Sequence, residues 1–461
     1  MATTTDNTVH LDEVIVAMVP FPEYSHSNQL FVLACFIASH NIPVHFLCLA
    51  DQNKTLKLRA QGGLRASNIH FHDLLVPFSP EETEDAGNGL PSSIILMQKL
   101  TELIYRTCFE LSTNSKRLVI INDNIMKHYL GDVHSFQSVE SYMFHPISAF
   151  TRYSLLRQSI PDIVDDDDHD KMIQQMQDEF PLVESWGSPY MEMFLRMEQE
   201  CKLHSGEIMN SCREVEGKYL DLLANTKDKP LWAVGPLHML LESQDSSNRT
   251  RHECLEFLDK QDVNSVIFVS FGSTTTLSQE QVNELALGLE QSNHRFIWVL
   301  RKRDVMEKFE EKDEKIELPE GFEERVVGRG LVVRNWAPQL EILAHLSTGG
   351  FLSHCGWNSC IESISMGVPL ATWPMNFDQP FNAIFVTNLL KIGITVKSWA
   401  RREELVTATA IENAVKTLMG TTEGEEMRWR TVELSNKIKS CVSHGGLAHK
   451  EMESFISHII R

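Results

Sequence analysis

The chain has 461 residues, of which 42% are hydrophobic and 23% are charged, as is typical of a globular protein. This length allows two domains with sizeable hydrophobic cores. The formal net charge of −21 argues against nucleic acid or an anionic membrane as a general partner, because both are bound through basic patches.

The N-terminal 13 residues are polar and slightly acidic, without the basic start and apolar core of a secretory signal. No apolar run in the sequence approaches the ~18 residues of a membrane-spanning helix. The nine cysteines are scattered and form no CxxC pair, as expected for reduced thiols in the cytosol. We therefore expect a cytoplasmic protein without a membrane partner, and we expect it to be a monomer.

The first half of the chain alternates predicted strands with helices. Residues 14–19 form an apolar run, and apolar residues then recur at helical spacing over 30–37. Residues 44–49 and 118–121 are predicted as further strands, and the second of these runs directly into Asp123. Strands that alternate with helices imply a parallel sheet covered by helices.

The second half repeats this alternation. Residues 265–271 and 296–300 are predicted strands, and 349–353 reads as a short buried strand after a glycine turn. Between the first two strands, Ser278 and Gln281 form a capping box that predicts the start of a helix.

A polar stretch at 241–252 separates the two halves and is predicted to be a linker. We therefore predict an α/β protein with two Rossmann-like, doubly wound domains that face each other across a cleft. The N-terminal domain is expected at 1–240 and the C-terminal domain at 253–446.

The most informative segment is 336–379, in which the polar residues suit the parts of a nucleotide sugar. Trp336 offers a flat ring on which a base can stack. Asn358 and Ser359 are predicted to open a helix, whose N-terminal amides favour a pyrophosphate. His354 adds a side-chain donor beside them.

The remaining polar residues of this segment suit the two sugars. Glu362 lies three and four residues after Ser359 and Asn358, so all three share one helix face. A carboxylate one turn below the phosphate donors is placed to accept hydrogen bonds from ribose hydroxyls. Asp378 and Gln379 are predicted to lie at the end of the next strand, where they can bind the hydroxyls of the transferred sugar.

This segment resembles, over its full length and without a gap, the signature box of plant secondary-product glycosyltransferases, which use UDP-sugars. The tract 371–380 is similar in particular to the zeatin O-glucosyltransferase subgroup, and the resemblance extends over essentially the whole chain. It implies the GT-B fold and an inverting, metal-independent reaction with no cofactor besides the UDP-glucose donor. It also implies that a C-terminal helix at 447–461 packs back on the N-terminal domain.

The resemblance implies that His26 and Asp123 are catalytic. The residues that it assigns to the UDP-sugar are Ser273, Trp336, Ala337, Gln339, His354, Gly356, Trp357, Asn358, Ser359, Glu362, Asp378 and Gln379. His26 follows the first strand, where ligands bind in open α/β sheets, and an imidazole with a pKa near ~6.5 can take a hydroxyl proton. Asp123 ends another strand, so its carboxylate is able to orient the imidazole. From the residues alone, a packed histidine at a helix start and a turn aspartate remain open.

One motif departs from the subgroup. Where its members usually carry Ala-Gln-Gly before the histidine, this chain has Glu23, Tyr24 and Ser25. These residues are expected to border the acceptor and the sugar. The departure therefore leaves the identity of the acceptor open while the reaction class stands.

Two other segments resemble metal sites. The acidic run 165–170 contains the Asp-x-Asp spacing of metal-dependent glycosyltransferases, but it follows no predicted strand and is predicted to be a solvated surface run. His70 and His72 have the spacing of a metal-ligand pair, but alternation within a strand explains them and no second ligand cluster accompanies them. We therefore predict no metal site.

The sequence thus predicts a UDP-glucose-dependent O-glucosyltransferase of a small hydroxylated plant metabolite, with zeatin or a related cytokinin as the favoured acceptor. A terpenoid, phenolic or alkaloid alcohol, or UDP-xylose as the donor, is the alternative. A catalytically silent nucleotide-sugar-binding protein is a further one. Aromatic residues that either line an acceptor pocket or belong to the core are Phe144, Phe150, Tyr153, Trp186 and Tyr190.

Overall fold

A computed structural model describes residues 13–60, 68–76, 92–159, 204–226, 229–240, 251–272, 275, 277–300 and 316–461. The predicted linker at 241–252 lies outside these ranges except for its last two residues.

The first sheet is formed by the N-terminal half of the chain. Its strands are β1 (Ile15–Val19), β2 (Val44–Leu49), β3 (Ile69–Leu74), β4 (Leu118–Asp123), β5 (Val139–His145), β6 (Gly206–Met209) and β7 (Leu231–Ala233). All neighbours are parallel, and their order is β3-β2-β1-β4-β5-β6-β7. The chain therefore winds outward from β1 in one direction and then, from β4, in the other.

The second sheet repeats this plan in the C-terminal half. Its strands are β8 (Val266–Ser270), β9 (Arg295–Val299), β10 (Gly330–Val333), β11 (Thr348–Ser353), β12 (Leu370–Thr372) and β13 (Gly393–Thr395). They are also parallel, in the order β10-β9-β8-β11-β12-β13. Each sheet thus has a switch point, between β1 and β4 and between β8 and β11, at which such folds bind ligands.

Helices cover both sheets. The helices of the N-terminal half are α1 (Tyr24–Ser39), α2 (Ala50–Ala60), α3 (Ser92–Thr113), α4 (Ala149–Ser159) and α5 (Arg213–Asn225). Those of the C-terminal half are α6 (Glu253–Leu258), α7 (Gln279–Ser292), α8 (Phe322–Arg325), α9 (Gln339–Ala344), α10 (Trp357–Met366), α11 (Gln379–Ile384), α12 (Ala408–Gly420), α13 (Thr422–Val442) and α14 (Leu447–Ile459). Short 3-10 helices lie at Asn124–Tyr129, Val133–Ser135, Leu237–Met239 and Trp399–Arg401, and one π-helical turn lies at Phe385–Leu389.

Alternate residues of each strand enter opposite cores. In β1, Val16 packs on the α1 side of the first sheet, whereas Ile15 packs on the α3 side. The last helix, α14, belongs to the first of these cores, because Phe455 contacts Trp232 with ring centroids 5.2 Å apart. A third core crosses between the two halves, where Phe150 of α4 stacks on Phe385 at 5.3 Å.

The predicted doubly wound α/β fold is confirmed. The predicted strands lie within one residue of the observed ones, except that β4 continues for two residues beyond its predicted end and includes Asp123. The capping box is only half formed. Ser278 accepts from Gln281 N at 3.2 Å, but the Gln281 side chain bonds the backbone of Val406 instead of returning to Ser278. Among the described helices, none is long and apolar enough to cross a bilayer.

Candidate active site

The predicted site residues gather at the two switch points. His26 in the first turn of α1 and Asp123 at the end of β4 flank the switch point of the first sheet. Gly272 after β8 and His354 after β11 flank that of the second sheet. Each of these four residues lies at or shortly after the carboxyl end of a buried apolar strand. The strands therefore fix their positions.

His26 and Asp123 form a hydrogen-bonded pair. His26 Nδ1 lies 2.7 Å from Asp123 Oδ2, and the two side chains are 18% and 0% exposed. The other carboxylate oxygen of Asp123 accepts from the backbone N–H of Ile125 at 3.0 Å, so the carboxylate cannot rotate freely. With Nδ1 bound to Asp123, the second ring nitrogen, Nε2, is left for another partner.

This pairing makes the imidazole strongly basic. Burial is the largest single effect and lowers the pKa of His26, but the charge and hydrogen bond of Asp123, together with nearby carboxylates, raise the pKa to about 9. The carboxylates of Glu23 and Asp378 contribute in the same direction. The Asp378 contribution comes from the C-terminal half, so the charges of the two halves meet at this imidazole.

The second switch point is shaped around His354. A Cβ atom at either Gly272 or Gly356 would lie 2.7 Å from His354 Nε2, so a larger residue at either position would displace the His354 ring. Gly272 also has a φ of 78°, which side-chain-bearing residues rarely adopt. Burial lowers the pKa of His354 to about 4, so this ring is neutral at pH 7. Ser273 lies outside the described residues.

The start of α10 lies against the N-terminal half. Gly356 is the residue before the helix, and the first-turn amides follow it. The indole of Trp357 is 2% exposed and donates to Asn210 O at 2.8 Å, while Asn358 Nδ2 donates to Ser25 O at 2.9 Å. Two side chains of the box thus hold the two halves together beside His26.

Ser359 and Glu362 share one face of α10, as predicted from their spacing. Gln339 Nε2 donates to both, to Ser359 Oγ at 3.1 Å and to Glu362 Oε2 at 2.8 Å. Burial raises the pKa of Glu362 to about 7, against the hydrogen bond from Gln339, which lowers it. A further hydrogen-bond donor would therefore stabilise the charged form of the Glu362 carboxyl group.

Trp336 is largely exposed to solvent. Its ring is 52% exposed, whereas Ala337 packs against the core. His252 contacts Trp336 edge-on with ring centroids 6.1 Å apart, and its Nε2 lies 3.2 Å from Trp336 O. One face of the indole is thus supported while much of the ring remains accessible.

Asp378 and Gln379 do not end a strand, because β12 stops at Thr372 and Asp378 instead precedes α11. Gln379 is buried, and its side-chain oxygen accepts from Met375 N at 2.8 Å and from Asn376 N at 3.0 Å. Its amide nitrogen donates to Asn376 Oδ1 at 2.7 Å. The side chain therefore holds the preceding loop.

Asp378 is half-buried and faces the His26 side of the site. Burial raises the pKa of its carboxyl, whereas hydrogen bonds from Asn382 and from backbone amides, one of them that of Trp357, lower it. Asn382 Nδ2 lies 2.7 Å from Asp378 Oδ2.

Of the two segments that resemble metal sites, the structure describes only the one with His70 and His72. The acidic run 165–170 is outside the described ranges. His70 and His72 lie on one face of β3 beside His45, and His45 Nδ1 is 2.8 Å from His72 Nε2. Across the described residues, no group of three or more His, Cys, Asp or Glu side chains is arranged to hold a metal ion.

Of the five aromatic residues named as candidates for an acceptor pocket, the structure describes three. Phe144, Phe150 and Tyr153 are fully buried and belong to hydrophobic cores. Trp186 and Tyr190 fall outside the described residues.

Comparisons with known proteins identify the family. Residues 12–239 match the family "Glycosyltransferase, N-terminal domain", and residues 242–433 match "UDP-glucoronosyl and UDP-glucosyl transferase". The zeatin O-glucosyltransferase of Phaseolus lunatus is 44% identical over 457 residues, which cover 98% of each chain. The chain belongs to the plant UDP-glycosyltransferases.

Two further relatives extend this finding. The zeatin O-xylosyltransferase of Phaseolus vulgaris is 43% identical, over 97% of this chain and 98% of its own. A structure of Phytolacca americana UGT2, complexed with UDP-2fluoro-glucose and pterostilbene, is 28% identical, covers 97% of this chain and 99% of its own, and has a TM-score of 0.76. This plant UDP-glycosyltransferase therefore has the GT-B fold and acts on small molecules with a UDP-sugar.

Sequence reasoning missed several residues of this UDP-glycosyltransferase site. Asn382 and His252 were not singled out, although both contact predicted donor residues. The carbonyl oxygens of Ser25 and Asn210 accept hydrogen bonds from the box across the domain boundary. A backbone acceptor has no sequence signal, whereas Asn382 carries one in its helical spacing, four residues after Asp378.

Proposed function

We propose that the protein is an inverting, metal-independent O-glucosyltransferase that transfers glucose from UDP-glucose to a hydroxyl of a small plant metabolite. The observation that carries this proposal is the His26–Asp123 pair, 2.7 Å apart and opposite the glycine-lined start of α10. In this proposal, 1–240 binds the acceptor, 241–252 links the domains and 253–446 binds the donor.

His26 acts as the general base. The acceptor oxygen attacks the anomeric carbon of the sugar, the hydroxyl proton passes to His26 Nε2, and the bond from that carbon to the diphosphate breaks with inversion. Asp123 holds the imidazole through Nδ1 and stabilises the imidazolium that forms. General-base help of this kind contributes about 10²–10⁴-fold to the rate.

The donor site uses residues of the second sheet. The base of the nucleotide stacks on Trp336 beside Ala337, and Glu362 with Gln339 binds the ribose. Ser273, His354, Asn358, Ser359 and the amides after Gly356 bind the diphosphate, since helix N-termini favour such anions. Trp357, Asp378 and Gln379 complete the sugar site, Gln379 through the loop that it holds. These donors stabilise the leaving diphosphate without a metal ion.

The favoured acceptor is zeatin or a related cytokinin. Two relatives that cover nearly the whole chain are a zeatin O-glucosyltransferase and a zeatin O-xylosyltransferase. Both names support zeatin as the acceptor, although the two relatives transfer different sugars. We favour glucose because Gln379 ends the box, and UDP-xylose is the alternative donor.

A second acceptor class is favoured by Glu23. Its carboxylate is half-buried next to His26, and among the described residues it does not cap α1. The subgroup usually has alanine at this position. A terpenoid, phenolic or alkaloid alcohol that presents a hydrogen-bond donor beside the reacting hydroxyl would use this carboxylate.

An acceptor screen tests the proposal. Purified protein is incubated with UDP-glucose or UDP-xylose and a panel of cytokinins, terpenoid alcohols, phenols and alkaloids, and products are identified by mass spectrometry. We expect one acceptor class to be glucosylated and His26→Ala to lose at least about 10²-fold in turnover while it still binds UDP-glucose. His40→Ala, at the exposed end of the same helix, is the matched control. Wild-type turnover by His26→Ala would refute the mechanism, and UDP-glucose binding without any product would favour the silent binding protein.

A further inference from the structure

Asn382 is a buried amide at the boundary between the two domains. It lies in α11, one helical turn after Asp378, and its side chain is fully buried. Its Nδ2 donates to Asp378 Oδ2 at 2.7 Å and to Cys355 O at 2.9 Å. The same nitrogen thus fixes the Asp378 carboxylate and the turn that follows β11.

The oxygen of this amide bonds the other domain. Asn382 Oδ1 accepts from Ser148 Oγ at 2.8 Å and from Thr151 Oγ1 at 3.1 Å. Ser148 and Thr151 are fully buried at the start of α4, in the N-terminal half of the chain. These contacts use both protons of the amide nitrogen, and its oxygen lies in a hydrogen-bonded cluster with the two hydroxyls, whose own oxygens are 2.7 Å apart.

These contacts permit one orientation of the amide. If the amide were flipped, Asn382 Oδ1 would face the Asp378 carboxylate and the Cys355 carbonyl, two groups that only accept. Buried acceptors without a donor are costly, so the flipped state is excluded. Asp378 and Cys355 thereby select the orientation in which the amide nitrogen faces them, and the amide oxygen is left to bond Ser148 and Thr151 across the domain boundary.

The start of α4 is itself rigid. The buried carboxylate of Glu216 accepts from the backbone N–H groups of Ala149 at 2.9 Å and Phe150 at 2.8 Å. Ser211 Oγ donates to the same carboxylate at 2.5 Å. The position of the two hydroxyls is therefore fixed within the N-terminal domain before the domains meet.

We propose that Asn382 is a positioning residue that couples the packing of the two domains to recognition of the transferred sugar. When Ser148 and Thr151 dock on it, Asn382 holds the Asp378 carboxylate toward the sugar hydroxyls together with the backbone amides that bond the same carboxylate, and when they are removed the carboxylate loses one of these restraints. The inference rests on the proposed role of Asp378 as a sugar ligand. The nucleotide part, bound along α10, depends less on this contact, because the turn before α10 is also held by the Cys355 N–H, which donates to Ser353 Oγ at 3.1 Å.

The distinction between nucleotide and sugar gives the test. Dissociation constants for UDP and for UDP-glucose are measured by calorimetry without acceptor. For Asn382→Ala we expect the UDP-glucose Kd to rise about tenfold, the effect of about one well-placed hydrogen bond, while the UDP Kd changes less than about twofold. The double variant Ser148→Ala with Thr151→Val leaves Asn382 in place and should weaken UDP-glucose binding in the same selective way.

The controls separate positioning from general stability. Ser435→Ala removes a buried hydrogen bond between α13 and the end of α10, and it should change neither constant. Equal weakening of UDP and UDP-glucose by Asn382→Ala, or no weakening of either, would overturn the proposal. If Asn382→Ala does not fold, the double variant decides by the same criterion.

Asp378→Asn separates the coupling through Asn382 from the sugar-binding role of Asp378. Loss of UDP-glucose affinity in this variant, with none in the Asn382 or double variants, would overturn the coupling alone. An unchanged UDP-glucose Kd in Asp378→Asn would overturn both the coupling and the sugar site on which it rests.

Discussion

Removal of the Asp123 charge should move the pH dependence of the reaction. The pKa of His26 rises from 6.5 to about 9 because Asp123, with smaller contributions from Glu23 and Asp378, overcomes the opposing effect of burial. This rise corresponds to about 3 kcal/mol of preferential stabilisation of the imidazolium. In Asp123→Asn the burial penalty remains and only the smaller effects of Glu23 and Asp378 oppose it. We therefore expect the pKa of His26 to fall to about 6.5 or below.

The assay is kcat/KM against pH with a neutral acceptor, which reports the ionisation of the free enzyme. His26 must be neutral to accept a proton, so wild-type kcat/KM should rise with pH through about 9. In Asp123→Asn this ascending limb should move to pH 6.5 or below, and its plateau should fall about 10²-fold or more because the base is weaker and less well oriented. Asp73→Asn, at the edge of the same sheet, should leave the profile unchanged.

Unfolding measurements supply an independent check. Because the folded pKa of His26 lies above the unfolded value of about 6.5, its contribution to stability is complete below that pH and is lost as pH rises through about 9. The stability gap between wild type and Asp123→Asn should therefore shrink between pH 6 and pH 10. An ascending limb that stays near pH 9 in Asp123→Asn would refute the assignment of His26 basicity to Asp123.

Three further predictions concern the donor site. Trp336→Ala should weaken UDP binding by about 1–3 kcal/mol because base stacking is lost, and its Tm should be unchanged because the residue is 52% exposed. Calorimetry and thermal melting check these two results, and an unchanged UDP affinity would contradict the stacking role. Gly272→Ala should destabilise the fold by about 1–2 kcal/mol and raise the KM for UDP-glucose, because its φ is 78° and a Cβ would lie 2.7 Å from His354 Nε2; a wild-type melt would argue against this cradle. Prolonged chelation with EDTA should leave turnover unaltered, and lost turnover restored by added manganese would favour a metal-dependent mechanism.

The sequence was sufficient for the strands and for the fold class. Buried parallel strands are continuous apolar runs, so β1, β2, β8, β9 and β11 lie within one residue of their predicted positions. Periodicity does not give the order of strands in a sheet, and the GT-B arrangement was implied by the family resemblance. The carboxyl-end rule permitted the pairing of His26 with Asp123, and the resemblance supplied it.

Side-chain partners far along the chain could not be predicted. Gln281 bonds Val406, 125 residues away, so the expected reciprocal half of its capping box is replaced by a tertiary contact. The same reason applies to Asn382, whose partner Ser148 is 234 residues distant. Local patterns report which face of an element is buried, but hydrogen bonds between domains depend on how the finished halves meet.

The last helix has a consequence for the order of folding. α14 contributes Phe455 to the core around Tyr142 and Trp232, and Arg117 donates to the backbone of Arg461 at 2.8 Å. Because α14 follows the C-terminal domain in the chain, the N-terminal domain exposes this aromatic surface during synthesis until α14 has left the ribosome. The N-terminal domain is thus synthesised first, but its core is completed only after the C-terminal domain has been made.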